Sequence, residues 1–183
     1  MTDYGASSYH RFLDGEAGAL EELVRAYSDC LTQYAYLYVR DFAAAEDIME
    51  DTFATLIVKR RPFVNRFTFK AYLYRITQNK CIDYLRKHKR LVPLEDLSEV
   101  LTTEDTERNI LKRDRDKKIY ECLQELDFQY RDVLFFRFFE QFSVEEIAEV
   151  MCKSHKQVYN LLARAKAHLK KILLKEGISY EDI

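Results

Sequence analysis

The chain is poor in the residues that build tight turns, with four glycines and two prolines among 183 residues. Turn-rich β architectures draw on both residue types for backbone angles that other residues resist, so their scarcity argues against a β fold and for a mainly helical one. No apolar run reaches the ~18 residues that a membrane span needs. The first residues, MTDYGASSYHRFLDGEAG, lack a basic start followed by an apolar segment, so no membrane insertion is expected and a cytoplasmic location is. Cys30, Cys81, Cys122 and Cys152 include no close pair, and His10, His88, His155 and His168 are equally dispersed. That spacing gives a metal ion no ligand set, and most of the cysteines read as small core residues. Gly-rich phosphate loops, nucleophile elbows and paired-histidine motifs are missing too, so the expectation is no catalytic residue, no cofactor and no enzyme.

What the chain does have is charge, unevenly placed. The formal total is −2, yet from Lys59 to Arg90 eleven basic residues stand against a single acid, Asp83. Such local asymmetry is the footprint of a polyanion site, because each neutralised phosphate releases condensed counterions. At helical spacing Tyr72, Arg75, Asn79, Asp83, Arg86 and Arg90 share one stripe of the stretch FKAYLYRITQNKCIDYLRKHKR. The flanking arcs hold Phe69, Leu73, Ile76 and Tyr84 on one side and Tyr74, Cys81, Ile82 and Leu85 on the other, so this helix is expected to be packed on more than one face. Phe63, Phe67, Phe69, Tyr72 and Tyr74 are interleaved with the cations and can stack unpaired bases at about 1–3 kcal/mol each. Composition leaves two alternatives: a nucleic-acid surface, or a solvated basic face with the aromatics turned inward.

Before this stretch, Glu16 to Arg40 reads as one or two amphipathic helices. DFAAAEDIMEDTFATLIV follows, with Ile48 or Met49, Thr52 or Phe53, and Leu56 facing inward. Glu46 with Glu50, and Asp47 with Asp51, then form two outward acidic pairs at i, i+4, an arrangement that weakens an isolated helix by a few tenths of a kcal/mol per pair. They fit either a basic partner protein or a plain solvated face. Arg61 to Arg66 includes the first proline and is expected to be a loop.

After Arg90 the composition changes sharply. LVPLEDLSEVLTTEDTE carries six acids and no base, which predicts an acidic linker that either competes with nucleic acid for a basic groove or stays hydrated. A second helical unit is expected from about Thr106, with Ile110, Leu111, Ile119, Leu123 and Leu126 marking its first helix and most of Phe135, Phe136, Phe138, Phe139 and Phe142 in its core. Ser143 and Glu146 fit a capping box, Cys152-Lys153 a tight turn, and Ser154 with Gln157 a second helix start. Two capped helices separated by a short turn are the pattern of a helix-turn-helix. On the second of them Lys156, Asn160, Ala163, Arg164, Ala167 and Lys171 lie opposite the apolar arc, with Gln157 at the edge, and from Met151 to Lys175 there are seven basic residues and no acid. These groups can donate to phosphates or base edges.

In this order and spacing the motifs resemble the sigma-70 family of transcription factors, of the extracytoplasmic-function type, over about Glu16 to Leu174. AEDIMEDTF resembles the segment that docks on the clamp helices of core RNA polymerase. FKAYLYRITQNKCIDYLRKHKR resembles the segment that opens and reads the −10 element, and residues 123–169 resemble the helix-turn-helix domain that reads the −35 element. The resemblance implies an all-α chain with residues 1–90 as a region 2-like bundle, 91–108 as the acidic linker and 109–183 as a region 4-like domain. It implies contact with core polymerase through Asp47, Glu50, Asp51, Phe53 and Leu56. It assigns −10 contacts to Arg61, Arg66, Phe67, Tyr72, Arg75, Asn79, Asp83 and Arg86, and −35 contacts to Lys156, Gln157, Tyr159, Asn160 and Arg164. The partners implied are core RNA polymerase at its beta-prime clamp helices and beta flap, promoter DNA and an anti-sigma factor. Tyr72 stands where the family usually has tryptophan, Cys152 where it has the turn glycine, Asp127-Phe128 where leucine-proline is usual, and Leu161 where arginine is frequent. Two rival readings use fewer of these features: a helix-turn-helix regulator that binds operator DNA as a dimer without polymerase, and a helical adaptor that binds only protein.

Overall fold

The computed structural model describes residues 3–63, 68–91 and 120–175, and the chain divides into two compact units, Met1–Arg108 and Asn109–Ile183. Among the described residues every regular element is helical. The acidic linker at 91–108 and the start of the second unit lie outside them, apart from Leu91, the last residue of a helix.

The first unit holds four helices, α1 (Tyr4–Leu13), α2 (Ala19–Val39), α3 (Phe42–Lys59) and α4 (Phe69–Leu91). A two-residue turn joins α2 to α3. Arg40 enters the left-handed region (φ 54°) and ends α2, while extended Asp41 caps α3 by accepting from the Ala44 N–H at 3.1 Å. So short a connection forces the two helices to lie antiparallel and in contact. α4 packs against both, and the core between them is aromatic: Tyr34 lies edge-on to Tyr38 and to Tyr74, with ring centroids 5.4 and 5.2 Å apart. Buried Thr52 of α3 and Thr77 of α4 meet at 3.2 Å between hydroxyls, and each has a backbone carbonyl of its own helix within reach, so neither polar group is left unsatisfied. The sequence stripe of α4 anticipated this packing on several faces: Phe69, Leu73, Tyr74 and Cys81 are buried, and Ile76, Ile82, Tyr84 and Leu85 half-buried. α1 was not anticipated; it buries Tyr9 and Phe12.

The second unit contains residues 120–124 in helical conformation, α5 (Phe128–Leu134), a π-helical turn (Phe135–Phe139), α6 (Val144–Val150) and α7 (His155–Lys175). Asp127 starts α5 by accepting from the Gln129 N–H. The π turn redistributes five consecutive residues, FFRFF, around the helix. Phe135 and Phe136 are buried, Phe139 is half-buried and stacked on Phe135 at 5.5 Å, and Phe138 is turned out with the Lys166 ammonium 5.2 Å from its ring. α7 packs against both α5 and α6, and Val158, Ala165, Leu169 and Leu173 are its buried residues.

Candidate nucleic-acid interface

Three surfaces carry the charge patterns. On α3, Glu46, Asp47, Glu50 and Asp51 are all exposed, while Ile48, Thr52, Phe53 and Leu56 form the buried arc beneath them. Phe53 and Leu56, at 4% and 1% exposure, therefore cannot touch a partner while α3 is packed; helical periodicity puts them with Ile48, and they hold the acidic residues up from below. The same outer face continues into two apolar residues that motif reasoning did not single out, Ile57 at 43% and Val58 at 81% exposure. Helical phase was the available signal, for at 3.6 residues per turn both fall on the arc of the four acids and not with Ile48, Thr52 and Leu56.

The second surface is the outer side of α4 and the turn before it. Asn79, Asp83 and Arg86 are exposed; Tyr72 and Arg75 are half-buried. Asp83 and Arg86 form an ion pair at 3.5 Å on successive turns, with both side chains well over half exposed, a contact that water and salt screen and that DNA phosphates can replace. Arg61 is exposed in the turn, whereas Arg66 and Phe67 lie outside the described residues. Phe63 and Tyr72, 5.6 Å apart between ring centroids, make a half-buried aromatic pair beside Phe69.

The third is the helix-turn-helix. Ser143 and Glu146 form a full capping box on α6: the Ser143 hydroxyl accepts from the Glu146 N–H at 3.2 Å and the Glu146 carboxylate accepts from the Ser143 N–H at 2.9 Å. The pattern recurs on α7, where the Gln157 side-chain oxygen accepts from the Ser154 N–H at 2.8 Å and the Ser154 hydroxyl from the Gln157 N–H at 3.3 Å. Between them Cys152 takes a left-handed φ of 52°, the conformation a turn glycine normally supplies. On α7, Lys156, Gln157, Tyr159, Asn160, Ala163, Arg164 and Ala167 are exposed, Tyr159 at 61%, whereas Leu161 is half-buried. The cap occupies the Gln157 oxygen and leaves its amide nitrogen as a donor. Among the described residues no cluster of histidine, cysteine or carboxylate side chains is arranged to hold a metal ion, and no described helix is long and apolar enough to cross a membrane.

The family model for Sigma-70 region 2 matches residues 23–91, and that for Sigma-70, region 4 matches residues 116–169. The chain is 30% identical over 161 residues to the RNA polymerase sigma-E factor of Streptomyces coelicolor, covering 87% of this chain and 89% of that protein. It is 29% identical over 145 residues to RNA polymerase sigma factor SigV of Bacillus subtilis, covering 79% and 85%. In fold it is similar to the sigma factor RpoE of Bartonella quintana, solved with the anti-sigma factor NepR, with a TM-score of 0.70, 19% identity and coverage of 86% of this chain and 98% of that one.

Proposed function

The chain belongs to the sigma-70 family, as a factor of the extracytoplasmic-function type, and from that premise we propose how its three surfaces divide the work of starting transcription. It directs RNA polymerase to promoters. The acidic and apolar outer face of α3 suits a protein partner, since carboxylates repel DNA and exposed Ile57 and Val58 seek an apolar counterpart. Asp47, Glu50 and Asp51 dock there on the clamp helices of core polymerase, with Phe53 and Leu56 as support. The outer side of α4 with the preceding turn engages the −10 element: Arg61, Arg75 and Arg86 meet phosphates, Asn79 and Asp83 offer polar contacts, and Tyr72 stacks a base released from the duplex. Stacking offsets an unstacking cost of a few kcal/mol. α7 reads the −35 element through Lys156, Gln157, Tyr159, Asn160 and Arg164, with Ala163 and Ala167 allowing close approach. In this division residues 1–90 carry the first two tasks, 109–183 the third, and 91–108 joins them.

The observation that carries this reading is segregation by sign: an outward acidic face on α3, and separate outward cationic groups on α4 and α7. A regulator that works without polymerase uses only the last of these, and family membership disfavours it. An anti-sigma factor is proposed as a further partner, supported by the complex of the Bartonella relative. Adding the chain to core polymerase and transcribing a genomic promoter library tests the reading; it requires discrete new start sites absent with core alone, and fails if none appear under conditions in which another sigma factor is active.

A further inference from the structure

α1 lies outside the matched segments, yet its side chains reach the turn that carries Arg61 and Phe63 and the start of the helix that carries Tyr72. Asp3 accepts from the Ala6 N–H through Oδ1 at 3.1 Å, capping α1, and from the N–H of Phe69, the first residue of α4, through Oδ2 at 2.6 Å. One carboxylate thus satisfies donors at two helix N-termini, where both dipoles favour an anion. The Tyr9 hydroxyl donates to the Arg61 carbonyl at 3.0 Å while its ring stacks on Phe69 at 4.9 Å. The Arg60 guanidinium sits 5.3 Å from the centre of the Phe12 ring. The approach is close: a Cβ on Gly5 would collide with the Tyr27 hydroxyl and lie 2.8 Å from Phe69 Cδ1. Phe69 in turn packs edge-on against Phe63 at 5.5 Å and tilted against Tyr72 at 6.1 Å, so contact runs unbroken from α1 to the aromatic pair.

We propose that Asp3 and Tyr9 are positioning residues for promoter opening: they brace the end of the α3 turn and the start of α4 so that Arg61, Phe63 and Tyr72 are set before an unpaired base arrives. The inference rests on the reading of that surface as the −10 contact. Groups held in place in advance lose less freedom on binding, which favours the cognate strand. Without the brace the same side chains are present but no longer share one geometry.

Two conservative variants test it. Asp3→Asn leaves one side-chain oxygen where two acceptors are needed, and Tyr9→Phe removes only the donor to Arg61. Holoenzymes assembled with wild type and each variant are titrated with a fluorescent single-stranded oligonucleotide bearing the downstream element of a promoter found by transcription, and with a scrambled one. The expected result is about fivefold to tenfold weaker binding of the cognate strand in each variant, a size set by one lost hydrogen bond. Affinity for the scrambled strand, for core polymerase and for upstream duplex stays at the wild-type level, a selectivity that a general folding defect would not give. Wild-type discrimination in both variants, or equal losses for core and DNA, overturns the inference while leaving the proposed function in place. A wild-type holoenzyme that cannot tell the two strands apart removes both.

Discussion

The Lys80 ammonium lies 3.4 Å from the Asp51 carboxylate, tying the basic helix α4 to the acidic face of α3. Asp51 is 71% exposed and Lys80 26%, so the pair is a solvated one, of the kind that contributes about 0–1 kcal/mol. Asp51 can therefore exchange Lys80 for a cation on a partner at little cost to the fold. Lysine at Asp47, Glu50 and Asp51 together is expected to abolish binding to core polymerase while shifting stability by less than about 2 kcal/mol, since exposed sites usually contribute within 0.5 kcal/mol each. Titration of labelled core and a denaturant melt measure the two; unchanged core affinity would refute the assignment.

On α7 the exposed side chains are expected to make two kinds of DNA contact. Lys156→Ala is expected to weaken binding to all duplexes alike and to reduce the salt slope by about 1, as loss of one phosphate contact does. Asn160→Ala is expected to relax sequence preference at one position of the −35 element, costing about 1–3 kcal/mol for the preferred base alone. Binding isotherms at several salt concentrations, on cognate and single-base-changed duplexes, separate these effects.

The helix-turn-helix also stores an adjustable cost at its turn. Cys152 holds a left-handed φ of 52° with a side chain, a conformation that costs an L-residue roughly 1–2 kcal/mol and glycine almost nothing. Cys152→Gly is expected to stabilise the second unit by about 0.5–1 kcal/mol after the added freedom of the unfolded glycine is counted. Ser143→Ala, which removes one half of the capping box, is expected to destabilise it by about 1 kcal/mol. Urea melts followed by far-ultraviolet circular dichroism would show opposite shifts in midpoint.

Alkaline pH should loosen the first unit through Tyr27. Burial raises this phenol to about 12, with the neighbouring Asp3 carboxylate adding to the effect. A group whose folded pKa lies above its unfolded value binds its proton more tightly when folded, so its stabilising contribution is complete below pH 10 and declines as pH rises toward 12. Stability should fall over that window in the wild type and fall less steeply in Tyr27→Phe, as chemical denaturation at each pH would measure.

Much of the architecture is legible in local sequence because local chemistry fixes it. Ser143 and Glu146 form the reciprocal cap their spacing predicts, and Cys152 lies in the expected tight turn, its left-handed φ matching the glycine that the family resemblance implies there. Helical periodicity placed Leu56 and either Thr52 or Phe53 inward even as family resemblance gave Phe53 and Leu56 a surface role; both Thr52 and Phe53 are buried, as is Leu56. α1 is faint in the sequence because its apolar residues are few and mixed with serines, although Asp3 three residues ahead of Ala6, with Tyr9 and Phe12 beyond, is a helix start followed by an inward face. Its double cap was not legible at all, since Asp3 and Phe69 are 66 residues apart and only the fold brings them together. The π turn is similarly hidden, for the phenylalanine run reads as mostly core without showing that Phe138 is the one turned outward.

The claim that two cationic surfaces grip one DNA molecule at neighbouring places is tested most directly by footprinting the holoenzyme on a promoter it transcribes. The account predicts two separate protections, an upstream one lost selectively when Asn160 and Arg164 are replaced by alanine and a downstream one, with its melted bases, lost selectively when Arg75 and Arg86 are. A single protected stretch that either pair of substitutions removes as a whole would contradict it.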